Sequence, residues 1–523
     1  MVWFLGVSLA LLAAGLADAQ ATVEGQVVDA VTNAPVRKAS VGLYCGRSES
    51  YLESDAGGRF AFQTVRVGSC TVSASANGYL SGRSDINLAD GQKMSGIALR
   101  LAPSSATSGR IVDEDGDPLN GFQVQLFYVT YGSGRKQLVP ETDGKSTTDD
   151  RGRYRIPGLS AGKYYLSVSP PGNSDFRLTN QTSRYLPTFY PGIVDPSGAA
   201  PVDIPPGSEV ENLNLKLRRV PVVTVRGQVT GVASAVGYLI PDSMVAGQQG
   251  IQGQIGGNGK FEFRGVPAGD YTLWIRAFAS DQSKPAPGGG PPVLSGFIRR
   301  PLTVGNSDIE GLTIAIPPPA SITARVVIDG EAPRDLSEVV LTVEPVPATT
   351  SDEPRSFAKP AGNGTFRFVD LAADRYRMKT YPSSSGLYLK SMRMGGRELS
   401  GPVFDLGGST EVEVVLSSKT ASVAGVVHRP DSDQPSAGVT VVLIPQNKEL
   451  EYQRATTDES GRFAMRDIVP GEYRAFAWEK LDGRTFEYFD SDFVRSVESK
   501  GVPVSLGEGA SKSVELTAIP PGK

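Results

Sequence analysis

One histidine, His428, is all the imidazole this chain offers for acid-base or metal chemistry. It stands beside Arg429 and Pro430, just past a strand-like run, where a solvated strand end is the plain reading. A Ser-His-Asp triad would have to use it, and no G-x-S-x-G elbow accompanies it. H-E-x-x-H needs a second histidine, and the two cysteines, Cys45 and Cys70, are too few for a three-cysteine zinc cage. No phosphate-cradling glycine motif follows a strand. Asp113, Asp115 and Asp117 resemble the start of a calcium loop, but position 124 is Val where the closing glutamate belongs, so a solvated turn is expected. Carboxylates are plentiful, yet nothing singles out a catalytic pair. The sequence therefore predicts no catalytic residue, no metal ligand and no cofactor.

The side chains left with a chemical use are aromatic. Tyr165, Trp274, Phe476 and Trp478 fall on the outward phase of their strands. Exposed, such rings would stack on a sugar or a partner side chain; otherwise they pack beneath inserted loops or a neighbouring domain. Cys45 and Cys70 fall on inward phases, at the end of one strand and the start of another. If those strands are antiparallel neighbours a disulfide is sterically reasonable; two buried free thiols are the alternative.

These residues are positioned by a pattern that occurs five times. Its origins are Phe60, Tyr154, Phe261, Phe366 and Phe463, about 100 residues apart, the size of one small β-sandwich. Two residues earlier stands Gly58, Gly152, Gly259, Gly364 or Gly461. Apolar residues follow at offsets two (Phe62, Ile156, Phe263, Phe368, Met465) and five (Val65, Leu159, Val266, Leu371, Ile468). At offset ten come Cys70, Tyr164, Tyr271, Tyr376 and Tyr473. The alternation reads as strand, corner, strand. The Asp at offset minus five (Asp55, Asp149, Asp458) caps the turn, and Gly256 and Ala361 replace it in the other two copies. Core and turn, rather than an active site, is the reading.

With 60 glycines, 38 prolines and only 21% charged residues, the composition suits short strands joined by many turns. The 52 basic and 56 acidic residues are spread along the chain for a net charge of −4, which argues against nucleic acid as a partner. Residues 1–19 resemble a secretory signal ending Ala17-Asp18-Ala19, although no positive residue opens it. No other apolar run is long enough to span a membrane, and the closing PPGK carries no anchor, so an exported, soluble mature chain is expected. The expected domains are 1–19 signal, 20–102, 103–219 with a long insertion at 169–207, 220–317, 318–417 and 418–523. Tyr185, Phe189 and Tyr190 in the insertion either form a sticky surface or staple the loop to its own sandwich. Short linkers such as 102–105 and 417–420 suggest a semi-rigid rod.

The set V-x-G-x-V, a turn ending in Pro, T-D-x-x-G-x-F and G-x-Y, seen in SVAGVVHRPDSDQPSAGVTVVLIPQ and TTDESGRFAMRDIVPGEYRAFA, resembles the carboxypeptidase regulatory-like domain. The resemblance implies a transthyretin-like β-sandwich, grouped with carbohydrate-binding-like folds. The expected fold is thus all-β, a tandem array of about five seven-stranded Greek-key-type sandwiches after the signal peptide. Peptidase activity does not carry over, because the chain has no histidine-rich catalytic part. Glycan or polysaccharide binding follows by fold analogy, with Trp274, Trp478, Phe476 and Tyr165 as its platform. The alternative is a structural or adhesive protein that binds a cell-surface protein through edge strands or loops.

Overall fold

The computed structural model describes residues 20–132, 135–171, 182–230, 234–242, 250–278, 294–331, 339–346, 356–361, 364–381, 386–447, 449–481 and 487–520. The signal segment, the Gly/Pro-rich stretch 283–293 and insertion residues 172–181 lie outside them. The described chain is almost entirely β, and its strands fall in five successive units. Unit one has seven: β1 (Gln20–Asp29), β2 (Ser40–Cys45), β3 (Ser48–Glu53), β4 (Arg59–Arg66), β5 (Gly68–Ser75), β6 (Gly82–Leu88) and β7 (Lys93–Leu101). They form a first sheet, β4-β1-β7, facing a second, β3-β2-β5-β6, with β1 antiparallel to β4 and parallel to β7. Unit five repeats this order. Each unit closes its own apolar core, in unit one around Val23, Leu43, Phe60, Phe62 and Val72.

The repeated motif explains itself physically. All five turn glycines have positive φ, between 69° and 77°. Asp55, Asp149 and Asp458 each accept two backbone amides with one oxygen; Asp55 takes those of Gly57 and Arg59 at 2.8 and 2.7 Å. In unit three Asn258 bonds the Lys260 amide instead, and in unit four the Ala361 amide donates to the Thr365 carbonyl and its carbonyl accepts the Gly364 amide. The offset-ten tyrosines Tyr164, Tyr271 and Tyr473 donate their hydroxyls to carbonyls four residues back, at 2.7–3.0 Å. Burial pushes the Tyr473 phenol up to about 12. In unit one Cys70 holds that place, directly opposite Cys45 in the β2–β5 register, and the two are joined in a disulfide.

Units two to five are also held to one another. Residues Ser183–Tyr185 of the unit-two insertion pair antiparallel with Arg219–Pro221, adding a strand to unit three. Arg299 of unit three meets Asp374 of unit four at 2.8 Å, with 8% and 17% of the side chains exposed. Between units four and five, Asp329 accepts from Lys390 and Lys419, each at 2.6 Å, and both lysines also face Glu508. Tyr131 of unit two donates to Asp490 of unit five. That contact between the second and fifth units rules out the straight rod that the short linkers suggest. Among the described residues no helix is long and apolar enough to cross a membrane.

Candidate functional site

The four aromatic candidates stand on outward strand phases in three different units; Phe476 and Trp478 meet and are buried, and Tyr165 and Trp274 are each half-buried. Phe476 and Trp478 are 0% and 3% exposed, which corrects the expectation of a platform in unit five. The rings stack at 5.2 Å and 18°, and the segment Glu487–Lys500 lies across them. That segment is a 3-10 turn, the short helix Ser491–Ser496 and a second 3-10 turn. Phe493 stacks on Trp478, Tyr488 and Phe489 pack on Tyr452, and Gly501 passes so close to Phe476 that a Cβ would sit 2.5 Å from the ring. The result is a second small apolar core.

Tyr165 is also not a free platform. It is half-buried in a cluster with Phe127, Leu138 and Phe189, where the insertion supplies Phe189 and Ala199. Phe189 is 1% exposed and Tyr185 packs edge-on to Phe122 at 5.4 Å. The described part of the insertion is therefore stapled to its own unit and the next. Burial, and then the hydrogen bond to Asp490, push the Tyr131 phenol above its ordinary value.

Trp274 differs. It is half-buried on the outer face of the second sheet of unit three, 6.0 Å from Tyr238 and 5.4 Å from Phe297, with the Arg276 guanidinium 4.2 Å over its ring. The same face of unit one carries Tyr44 and Tyr51, edge to face at 5.7 Å across Gly42, and Tyr51 is 59% exposed. In unit four it carries Phe357 and Tyr381, 55% and 56% exposed and 5.8 Å apart. Sequence reasoning overlooked these partners. The signal was available: Tyr44 falls between inward Leu43 and Cys45, as Tyr238 precedes inward Leu239.

The remaining candidates are structural. His428 Nδ1 bonds the Asp433 carbonyl within its turn at 2.9 Å. Asp113 accepts the amides of Asp115 and Asp117 and shapes a turn. Among the described residues no group of three or more His, Cys, Asp or Glu side chains is gathered as a metal-holding set.

Residues 22–102 and 106–186 match the carboxypeptidase regulatory-like domain, and residues 408–481 match the second β-sandwich domain of the BOS complex subunit NOMO1-like proteins. No curated protein matches the chain in sequence. Solved structures similar to it include a streptococcal ancillary pilin (12% identity, 57% of this chain and 98% of that one, TM-score 0.23). The minor pilin GBS52 of Streptococcus agalactiae matches at 14% over 38% of this chain and 97% of its own, with a TM-score of 0.21. The major pilin subunit BcpA of Bacillus cereus matches at 11% over 80% and 99%, with a TM-score of 0.15. Likeness at these identities and scores carries no argument about this chain. The chain thus contains two tandem segments similar to the carboxypeptidase regulatory-like domain and a later segment similar to a NOMO1-like sandwich, within an array of β-sandwiches.

Proposed function

We propose that this is an exported, non-enzymatic structural or adhesive protein, an array that holds its sandwiches in fixed relation and presents their outer sheet faces to other proteins. The observation that carries the reading is the locking between units: a strand lent by unit two to unit three, a largely buried ion pair between three and four, and a four-charge joint between four and five. A chain built only to tether independent binding modules has no need of such contacts, because flexible linkers already raise the effective concentration of its sites. A chain that must hold a spacing does need them.

Small-angle scattering on residues 20–523 tests this. One fixed interdomain distance distribution is expected, and Arg299→Glu should broaden it. A wild-type profile fitted only by independently moving beads would overturn the reading.

Glycan binding is the second reading, and Trp274 is the observation that favours it. Unlike Phe476 and Trp478 it is only half-buried, and the Arg276 guanidinium lies over its ring.

A further inference from the structure

Two departures from the shared sandwich plan meet in space. In units one, three, four and five the strand opposite the offset-ten residue ends at that pair. Cys45 faces Cys70, Pro241 faces Tyr271, Pro345 faces Tyr376 and Pro445 faces Tyr473, and each is the last residue of its strand. In unit two Phe127 faces Tyr165, so Tyr128 holds the corresponding place, yet the strand Gln123–Gly132 runs on past it. Its hairpin partner, Arg135–Thr147, has 13 residues where Ser48–Glu53 of unit one has 6. Phe127, Val129 and Tyr131 share the outward phase of the lengthened strand. Val129 packs on the cluster of Phe127, Leu138 and Phe189, and Tyr131 is the strand's last side chain before Gly132.

The second departure is the unit-five cap. Residues 479–501 connect the strands Gly471–Trp478 and Val502–Leu506, where 76–81 suffice between β5 and β6. The lengthened hairpin of unit two reaches this cap, and the Tyr131 hydroxyl donates to one oxygen of Asp490. The other oxygen accepts the Asp492 amide at 2.9 Å and so caps the helix Ser491–Ser496. One carboxylate thus ties unit two to the start of the helix whose Phe493 stacks on Trp478. The contact also completes a circuit. Unit two holds three through Ser183–Tyr185, three holds four through Arg299 and Asp374, and five returns to two through Tyr131. Units four and five are joined at Asp329 and again where Arg377 meets Glu449 at 2.8 Å. Two insertions 359 residues apart, each absent from unit one, would have no reason to end on each other unless the contact were built.

We propose that the lengthened hairpin of unit two and the cap of unit five form a latch, with Asp490 as its pin, that closes units two to five into a ring and steadies the cap over Phe476 and Trp478. The latch has two states. Closed, the circuit is complete; open, units two and five separate, the cap loses the support at its helix start, and every sandwich stays folded. A hydrogen bond to a carboxylate shifts such an equilibrium by about tenfold or more. The structural reading above needs only the joints between successive units, so the latch can fail without it.

Spin labels at the exposed positions Lys163→Cys in unit two and Lys512→Cys in unit five read the latch by double electron–electron resonance on residues 20–523, the native cysteines being joined to each other. One narrow distance distribution is expected in the otherwise native chain. Tyr131→Phe keeps the ring and removes the donor, and should raise a separated population about tenfold. Amide hydrogen exchange over Asp492–Val497 should quicken severalfold in the same variant, with exchange in the core strands Arg153–Leu159 and Arg462–Ile468 unchanged. Asp490→Ala should open the latch equally and quicken cap exchange further, because the helix cap is lost with it. A broad distribution in the native chain would overturn the proposal, as would a Tyr131→Phe chain with native distances and native cap exchange. Indifference to Tyr131→Phe, beside a scattering profile that Arg299→Glu broadens, would remove the latch and leave the joints between successive units standing.

Discussion

Replacing Trp478 with alanine separates a structural aromatic from a surface one. The indole is 3% exposed, stacked between Phe476 at 5.2 Å and Phe493 at 6.0 Å. Truncating a buried Trp costs about 3–5 kcal/mol, because transfer energy is lost and the cavity closes only partly. In a unit of this size each 1 kcal/mol moves the melting temperature by about 4–8 °C, so unit five should melt at least about 12 °C lower. The cap should go first, since its apolar contacts end on that ring. Trp274→Ala removes a half-buried ring and should cost much less. Calorimetry resolves the transitions of a multidomain chain, and limited proteolysis reports whether Glu487–Lys500 has become cleavable. An unmoved unit-five transition in Trp478→Ala, or an equal loss in Trp274→Ala, would refute the assignment of the first ring to a core and the second to a surface.

The disulfide predicts a second loss. Cys45 and Cys70 are 25 residues apart, a loop whose closure in the unfolded chain is worth about 3.5 kcal/mol. Reduction, or Cys45→Ala with Cys70→Ala, should therefore lower the unit-one transition and leave the others in place; calorimetry with and without reductant checks this. The joint between units four and five predicts a response to acid and salt. Hydrogen bonds from Lys390 and then Lys419 hold the Asp329 carboxyl below its usual range, and Lys390 does the same for Glu508. A depressed carboxyl contributes fully above the ordinary value of about 4, and its contribution is lost as pH falls through the lowered one. Scattering should show a closed joint at pH 7 that loosens under acid, and partial loosening in 1 M salt, where screening acts within about 3 Å. Asp329→Asn should loosen it already at pH 7. A joint indifferent to all three would show that the charges are not what holds it.

Much of the fold was legible because one constraint was written five times. The spacing of inward residues, two and then three after the aromatic origin, also encodes a feature that sequence reading passed over. Between Phe62 and Val65 the ladder slips by one residue, and the residue at offset four takes positive φ in every unit: Thr64, Gly158, Gly265, Asp370 and Asp467. This is a β-bulge, which restores inward phase after an odd step and bends the strand over the core. The glycine of V-x-G-x-V has an equally physical reason. A Cβ on Gly25 would stand 2.4 Å from the Phe60 ring, and one on Gly227 2.5 Å from Phe261. Strand phase and turn chemistry are local, so one sequence can carry them.

What covers an outward ring is not local, and there the sequence left two outcomes open, an exposed platform or a ring packed beneath a later segment. Strand phase put Phe476 and Trp478 outside the sandwich core, and they are outside it. Nothing within their own strand announces a cap that begins nine residues after Trp478. The composition of that cap, with Tyr488, Phe489, Phe493, Val494 and Val497 within ten residues, could have done so. Apolar residues at that density between two sandwich strands need a surface to bury, and the nearest unpaired aromatic face is the one just left behind. The same reasoning, applied to the insertion in unit two, accounts for Phe189 on the face of Tyr165. An aromatic outward face in this chain is therefore read together with the connection that follows its strand. Where that connection brings its own aromatics the face is closed from within, and where the described chain brings none, as in unit one, Tyr44 and Tyr51 are left for something else to cover.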